Sequence, residues 1–94
     1  MIIFGLEKLL AFSQKHSDAK GALARWIERV ESAKWRTPQD IKNEYRSADF
    51  LSGNRVIFNI KGNNYRLLVQ VLFRDDGVIV EWVGTHAEYD KKKF

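Results

Sequence analysis

The amino-acid sequence predicts an α+β fold, with helices in the first half of the chain and an antiparallel sheet in the second. In the first half, apolar residues recur every three or four positions, which is the spacing of one face of a helix. From Asn54 onward the spacing changes to two, as in strands with one buried face. The 94 residues suffice for one small domain and leave no room for the two halves of a doubly wound nucleotide-binding enzyme.

The composition excludes several classes of protein. A hydrophobic fraction of 45%, a charged fraction of 30% and a single proline are typical of a folded globular domain. Cysteine is absent, which excludes a disulfide framework, a thiolate zinc site and a cysteine nucleophile. No apolar run approaches the ~20 residues that span a bilayer, and no secretory signal is visible, so we expect a cytoplasmic protein without membrane contact. The net charge of +4 mildly favours a polyanionic partner such as nucleic acid.

Three helices are predicted in the first half of the chain. The first carries three leucines at helical spacing and ends near Lys15. Ser17 or Asp18 is expected to cap the second helix. The third begins at Thr37–Asp40, which combines a capping residue, a proline at the first helical position and an acid three residues after the cap, and it ends around Tyr45. The apolar stripe predicted for the second helix consists of Ala19, Ala22, Leu23, Trp26, Ile27, Val30 and Ala33.

Three strands are predicted in the second half, and their turns suggest a register. Gly62-Asn63 is a two-residue hairpin signal, because both residue types tolerate positive φ, and it pairs Asn59 with Arg66. If Asp76-Gly77 forms the next two-residue loop, Val71 lies opposite Trp82 and Arg66 lies opposite Ala87, beside His86. One face of all three strands is then apolar and available to the helices.

The opposite sheet face gathers the groups that RNA cleavage requires. Attack by a 2′-OH needs a base, a cation that neutralises charge on the phosphate and an acid for the leaving oxygen. Arg66 could hold the phosphate through its planar guanidinium, and His86 and Tyr89 could transfer protons. Asn59 and Lys61 are expected to flank Arg66. Tyr89 or Trp82 could stack on an unpaired base.

Structural alternatives exist for each of these groups. Arg66 could simply pair with Glu81 or Asp49 on a neighbouring strand. A histidine that follows a strand is more often an exposed or hydrogen-bonded residue than a catalyst. The lysines at 91–93 are usually a solvated tail, although a tail this close to the site could contact a phosphate backbone.

Two segments of the sequence closely resemble the HigB family of bacterial toxins, within the RelE-like group of messenger-RNA interferases. They are Asn54 to Leu67, which reads NRVIFNIKGNNYRL, and Gly84 to Asp90, which reads GTHAEYD. The likeness extends to Trp26, to the Trp35–Pro38 stretch and to Ser47–Phe50, so it covers nearly the whole chain.

The resemblance implies a RelE/ParE-like fold in which N-terminal helices pack on a curved antiparallel sheet of three to four strands. A single domain over 1–94 is expected, with helices at about 5–45, the sheet at about 54–86 and a C-terminal catalytic segment at 84–94. The implied activity is a metal-independent endoribonuclease without cofactor, which attacks through the 2′-OH and cleaves messenger RNA in the ribosomal A site. The implied partner is a HigA antitoxin, a helix-turn-helix protein through which operator DNA is contacted indirectly.

The resemblance also assigns residues. Arg66 matches the arginine of the group's Tyr-Arg-Leu strand motif, His86 matches the histidine after the last strand, and Tyr89 matches a tyrosine three residues later. These three are the predicted catalytic residues. The glutamate or lysine cluster that several relatives use has no secure counterpart here. The predicted RNA-binding residues are Arg55, Asn59, Lys61, Lys91, Lys92 and Lys93.

Two other functions stay open, because RelE-like folds do not all cleave RNA. One is a ParE-like toxin that blocks DNA gyrase without catalysis. The other is an inactive toxin that survives as the co-repressor partner of its antitoxin.

Overall fold

The order of elements along the chain is helices first and paired strands second, with one short strand ahead of the helices. A computed structural model describes residues 1–92 and 94 of the chain. Within those residues, short 3₁₀ turns occupy Ser17–Ala19 and Phe73–Asp75. The helices and strands are β1 (Ile2–Phe4), α1 (Leu6–Lys15), α2 (Lys20–Ser32), α3 (Pro38–Glu44), β2 (Asp49–Leu51), β3 (Arg55–Ile60), β4 (Tyr65–Leu72), β5 (Gly77–Thr85) and α4 (His86–Asp90).

The strands form one mixed sheet in the order β1-β5-β4-β3-β2, with β1 parallel to β5 and the other neighbours antiparallel. The described residues therefore contain five strands, and the prediction of a purely antiparallel sheet of three to four strands is wrong. The two additional strands, β1 and β2, have three residues each. A segment of three residues is too short to display the alternation that reveals a strand in sequence. The α+β class itself is confirmed.

Helices α1, α2 and α3 cover one face of the sheet, called here the inner face. The predicted stripe of α2 lies on that face, where Leu23, Trp26 and Val30 are buried. Thr37 caps α3 as predicted, and the Asp40 carboxylate completes the capping box. The prediction that Ser17 or Asp18 caps the second helix is wrong: the N-cap of α2 is Ala19, without a side-chain cap hydrogen bond, and the Asp18 carboxylate instead bonds to the sheet. The sheet contributes Val56, Phe58, Ile60, Leu67, Val69, Val71, Val78 and Val80 to the core.

The hairpin between β3 and β4 has the predicted register. Asn59 pairs with Arg66, and Phe58 pairs with Leu67. The chain reverses through Lys61 and Gly62, both at positive φ. Residues on the outer face, which is the face away from α1, α2 and α3, therefore include Asn59 and Arg66 side by side.

The predicted register between β4 and β5 is wrong. Leu72 pairs with Gly77 and Val71 with Val78, whereas the prediction placed Val71 opposite Trp82. Strand β4 stops at Leu72 because the next three residues form a 3₁₀ turn, and Asp76 then adopts a left-handed conformation with φ 51°. The connection is thus longer than a two-residue loop, and Arg66 pairs with Gly84 and not with Ala87.

A β-bulge at Glu81 changes which face the end of β5 presents. Val69 pairs with Val80, but the preceding residue Leu68 pairs with Trp82, so Glu81 is an extra residue on β5. Because of the bulge, Trp82 shares the outer face with Leu68, whereas regular alternation from Val80 would turn Trp82 inward. The Lys8 ammonium on α1 donates to the carbonyls of Val80 and Glu81, each at 3.4 Å. In residues 1–92 and 94, no helix has the length and apolar character needed to cross a membrane.

Candidate active site on the outer sheet face

Arg66 lies on the outer face at the start of β4, where it pairs with Gly84 near the end of β5. Its guanidinium Nη1 lies 3.3 Å from the Asp49 Oδ2 on β2, and its Cζ lies 4.7 Å from the centroid of the Tyr89 ring on α4. The side chain is only 16% exposed. Of the two partners that the sequence offered, Asp49 and Glu81, the structure has Asp49. The guanidinium is therefore held between a carboxylate and an aromatic ring, which fixes its plane.

The short helix α4 follows β5 directly because Thr85 caps it. Thr85 Oγ1 accepts a hydrogen bond from the Glu88 N–H at 3.0 Å, and the Glu88 carboxylate accepts one from the Thr85 N–H at 2.8 Å. The hydrogen bond from the Thr85 backbone is the main reason that the pKa of Glu88 is lowered. The His86 N–H donates to the Asn64 carbonyl at 3.1 Å. Helix α4 is thus fixed at the end of the sheet that carries Arg66.

His86 is the first residue of α4, and its imidazole is partly exposed. The Nδ1 atom lies 3.6 Å from the Asp90 Oδ2, one helical turn later. That distance gives an electrostatic contact rather than a hydrogen bond. It leaves Nε2 as the nitrogen that does not face Asp90. An imidazole with one nitrogen facing a carboxylate can present its other nitrogen to a substrate for proton transfer.

Two further aromatic rings, those of Trp82 and Phe94, lie beside Tyr89, the ring that contacts Arg66. The Tyr89 centroid is 6.1 Å from that of Trp82 and 5.6 Å from that of Phe94, whose ring is nearly parallel to it. Trp82 and Phe94 are 5.4 Å apart, and the Lys92 Nζ lies 5.8 Å from the Trp82 centroid. Such a cluster offers flat, partly exposed surface of the type on which nucleobases stack, with a cation at its margin.

Two of the predicted RNA-binding residues share the face of Arg66. The Asn59 Nδ2 donates to the Ser47 carbonyl at 3.4 Å, while its buried Oδ1 has no partner within the described residues. The buried Arg66 Nε also has no partner in that part of the chain. Arg55 is the first residue of β3, the strand that also carries Asn59, and its Nε donates to the Ser52 carbonyl at 3.3 Å. The register thus brings Arg55, Asn59 and Arg66 onto one face.

Lys61 does not join them, so the expectation that it flanks Arg66 is wrong. Its Nζ pairs with the Asp18 Oδ2 at 3.0 Å, and the Tyr65 hydroxyl donates to the other oxygen of that carboxylate at 2.6 Å. The positive φ of Lys61 in the hairpin turn takes it out of strand alternation. Its predicted role in RNA binding is untested by this placement.

The lysines at positions 91–93 lie in different surroundings. Lys91 is exposed directly after α4, and Lys92 lies over Trp82. Lys93 falls outside the described residues.

Sequence reasoning missed two residues of the site. Asp90 carries a readable signal, because histidine and aspartate four residues apart lie on the same side of a helix. Phe94 carries no such signal, since a single aromatic after a lysine run has no period. The sequence predicted Trp82 only as a possible stacking residue. Its position on the outer face depends on the bulge at Glu81, which the sequence does not reveal.

The assembled groups can bind an anion, transfer a proton and stack on a planar ring within one sheet face. Arg66 supplies the cation, His86 and Tyr89 supply titratable groups, and Trp82 supplies ring surface. Among residues 1–92 and 94, no group of three or more histidine or acidic side chains is arranged to hold a metal ion.

A family model described as the HigB toxin, the RelE-like toxic component of a toxin-antitoxin system, matches residues 19–92. The matched range contains Arg66, His86 and Tyr89 together with most of the helical core. No curated protein matches the chain.

Proposed function

The chain belongs to the HigB toxin family, the RelE-like toxic component of toxin-antitoxin systems, and on that premise we propose that it is an endoribonuclease. It cleaves messenger RNA by attack of the 2′-OH on the adjacent phosphate, and it leaves a 2′,3′-cyclic phosphate. Neither a metal nor a cofactor takes part. The observation that carries the proposal is the placement of Arg66 between Asp49 and Tyr89, next to the helix that bears His86.

Arg66 binds the scissile phosphate and neutralises the charge that grows on it during attack. The Tyr89 ring keeps the guanidinium in one plane before RNA arrives. The exposed Asp49 carboxylate is a weak partner that a phosphate can replace, because surface ion pairs contribute little. A doubly hydrogen-bonded arginine–phosphate pair is the stronger contact.

His86 transfers the proton, either from the attacking 2′-OH or to the leaving 5′-oxygen. The Asp90 carboxylate faces Nδ1 and so leaves Nε2 as the nitrogen that meets the substrate. Tyr89 orients the phosphate through Arg66 or takes part in the second proton transfer. Trp82 stacks on a base that flanks the cleaved bond.

The RNA backbone extends from this centre along cationic and polar side chains of the outer face. Arg55 and Asn59 contact it on β3, and Lys92 contacts it beside Trp82. Lys61, Lys91 and Lys93 are further proposed contacts, and Lys61 would first have to release Asp18. The substrate is messenger RNA in the ribosomal A site, and a HigA-type antitoxin neutralises the toxin and mediates any contact with operator DNA.

The test is induction of this protein alone in a bacterial host, with primer extension on one well-translated messenger RNA. New 5′ ends inside the reading frame are expected for the wild type. His86→Ala and Arg66→Ala should each reduce cleavage by about 10²–10⁴-fold, since each removes a group that acts in the transition state.

Matched controls use the same residue types elsewhere. His16→Ala removes the chain's other histidine, which stacks on Phe12 at 4.4 Å, and Arg74→Ala removes an exposed arginine in the turn at the far end of β4. Both should cleave normally. Growth arrest with intact messenger RNA would favour the gyrase-blocking alternative. Absence of both arrest and cleavage would leave the co-repressor alternative.

A further inference from the structure

The Phe94 side chain lies against both of the aromatic rings that are candidates for stacking on a base. Its centroid is 5.6 Å from that of Tyr89, with the two rings inclined by only 27°. It is 5.4 Å from the centroid of Trp82, at an inclination of 55°. Phe94 thus has the place and the orientation of a planar group stacked on this pair of rings.

The other neighbours of the two rings include cations. Arg66 Cζ lies 4.7 Å from the Tyr89 centroid, and Lys92 Nζ lies 5.8 Å from the Trp82 centroid. Each ring therefore has a cation beside it in addition to Phe94. Because both cations attract the phosphates of a bound strand, a base gains ring surface by replacing Phe94 and not by displacing the cations.

The contact that Phe94 makes is separate from the hydrophobic core. Its side chain is 42% exposed, and in the part of the chain that the structure describes, the core cluster includes none of Phe94, Tyr89 and Trp82. A single pair of stacked rings contributes only modestly to stability. The Phe94 ring can therefore leave while the sheet and α4 stay folded.

The charges beside the rings favour a planar group that carries negative charge. Arg66 and Lys92 supply the positive charge at the margin of the cluster. The acidic residues nearby, Asp49, Glu88 and Asp90, each contact another group of this chain. A nucleotide combines a flat base with a phosphate, and so it matches ring surface bordered by cations.

We propose that Phe94 is an internal occupant of a nucleobase site, and that a base of the RNA strand displaces it to stack on Tyr89 and Trp82. The base then lies beside the phosphate that Arg66 holds. This inference rests on the proposed ribonuclease function, because it places RNA on the same sheet face. In the free protein Phe94 lowers the apparent affinity for RNA, since the base binds only to molecules from which the ring has withdrawn.

The test measures binding of a short single-stranded RNA to the full chain. Its riboses are 2′-O-methylated, so that it cannot be cleaved by 2′-OH attack. A fluorescent label reports binding by anisotropy, and 2-aminopurine in place of one base reports stacking by a loss of its fluorescence. Phe94→Ala should bind this RNA about two- to tenfold more tightly than the wild type, because no ring then competes with the base. Phe94→Tyr keeps a ring of similar size and should bind like the wild type.

Two further variants serve as controls. Phe50→Ala removes a phenylalanine of nearly equal exposure, 39%, which lies on β2 with the Lys42 Nζ 5.9 Å from its centroid. It should leave RNA affinity unchanged. Trp82→Ala removes one of the two rings that receive the base, and it should weaken binding and reduce the loss of 2-aminopurine fluorescence in the presence and in the absence of Phe94.

Weaker binding by Phe94→Ala than by the wild type would overturn the proposal, because Phe94 would then itself be a stacking residue. Equal affinities of the two proteins, or binding by neither, would also overturn it. The ribonuclease proposal fails separately, through a wild type that leaves messenger RNA intact in the primer-extension experiment. The order of RNA affinities among the variants is measured without cleavage, so the two failures are distinguishable.

Discussion

The two faces of the β3–β4 hairpin differ in what their side chains do. On the inner face, Phe58 and Leu67 are a register pair with at most 1% exposure, and Phe58 packs against the rings of Trp26 and Trp35. On the outer face, the neighbouring pair is Asn59 and Arg66, which make long hydrogen bonds and leave one polar atom each without a partner in the described residues. Adjacent residues of each strand thus lie in different environments. Phe58 and Leu67 are fully packed, whereas Asn59 and Arg66 each have a polar atom without a partner in the described residues.

This difference shows that stability and chemistry are assigned to opposite faces of the same strands. Buried apolar contacts stabilise the fold in proportion to the area removed from water. Polar groups without full hydrogen bonding contribute little to stability, but they are available to a ligand. Substitutions on the two faces should therefore separate folding from activity.

The largest expected effect on stability is on the inner face. Phe58→Ala should lower the free energy of unfolding by about 3–5 kcal/mol, because it removes a ring and leaves a cavity among Trp26, Trp35 and Tyr45. Arg66→Ala, one pair away on the outer face, should change the free energy by about 1 kcal/mol or less. Urea unfolding followed by circular dichroism measures both.

The comparison between the two faces would fail if Phe58→Ala and Arg66→Ala lowered the free energy of unfolding by the same amount. In that case the contacts of Arg66 with Asp49 and Tyr89 would be holding β2 and α4 to the sheet, and loss of activity in Arg66→Ala would reflect lost structure. The ratio of the two effects is therefore needed before any loss of cleavage is attributed to the missing guanidinium.

The inner face was accessible from sequence, because it depends on local rules. Alternation in β3 and β4 and the Gly62-Asn63 turn were sufficient for the pairing of Asn59 with Arg66. Strand β5 was not accessible in the same way. The 3₁₀ turn after Leu72 and the bulge at Glu81 break the simple count, and the bulge is supported by Lys8 from a helix more than seventy residues earlier.

The candidate site likewise contains residues that the sequence identified and residues whose positions only the structure showed. Arg66, His86 and Tyr89 lie in segments whose resemblance to a toxin family assigned them, and the structure brings Arg66 and Tyr89 into contact. Asp49 is distant in sequence and was one of two possible partners of Arg66, so geometry alone decided between them. The position of the Lys61 side chain, away from Arg66, depends on a positive φ that strand alternation in the sequence does not reveal.

Substitution of Gly84, on the outer face, should have an intermediate effect on the free energy of unfolding. A Cβ added at Gly84 would lie 2.6 Å from the Trp82 Cη2 and 3.0 Å from the Glu88 carboxylate. Gly84→Ala should therefore push the indole aside and lower the free energy of unfolding by about 1–3 kcal/mol through overpacking. Because Trp82 packs against Tyr89, messenger-RNA cleavage should fall as well. Thermal unfolding and primer extension measure the two effects.

Gly21→Ala is the matched control for that substitution. Gly21 lies in α2, where an added Cβ meets only the Arg25 side chain at 3.5 Å. Alanine is the better helix former, so this variant should be more stable by roughly 0.5–1 kcal/mol and should cleave normally. Normal cleavage by Gly84→Ala would mean that the position of Trp82 is unimportant for RNA binding.

The smallest effect concerns Asp18, which ties the hairpin turn to the helical side. The pKa of Asp18 is lowered, first by the hydrogen bond from the Tyr65 hydroxyl and then by the one from Lys61. A carboxyl whose pKa is lower in the folded state than its ordinary value of 3.8 stabilises the fold above that value. This stabilisation is lost as the pH falls through the folded-state pKa. Asp18→Asn should thus be less stable than the wild type at pH 7 and nearly equal to it at pH 2.

Urea unfolding at the two pH values checks this prediction, and Asp75→Asn gives the baseline. Asp75 is exposed and forms no ion pair in the described residues, so its replacement should leave a difference that changes little with pH. If Asp18→Asn stays equally destabilised at pH 2, its effect comes from lost packing and not from the charge on the carboxylate. The pH-dependent outcome would instead mean that Lys61 is held on the helical side by a charge that acid removes. Lys61 would then be free to turn toward the outer face only where Asp18 is protonated or absent, which makes Asp18→Asn the variant in which its predicted contact with RNA can be measured.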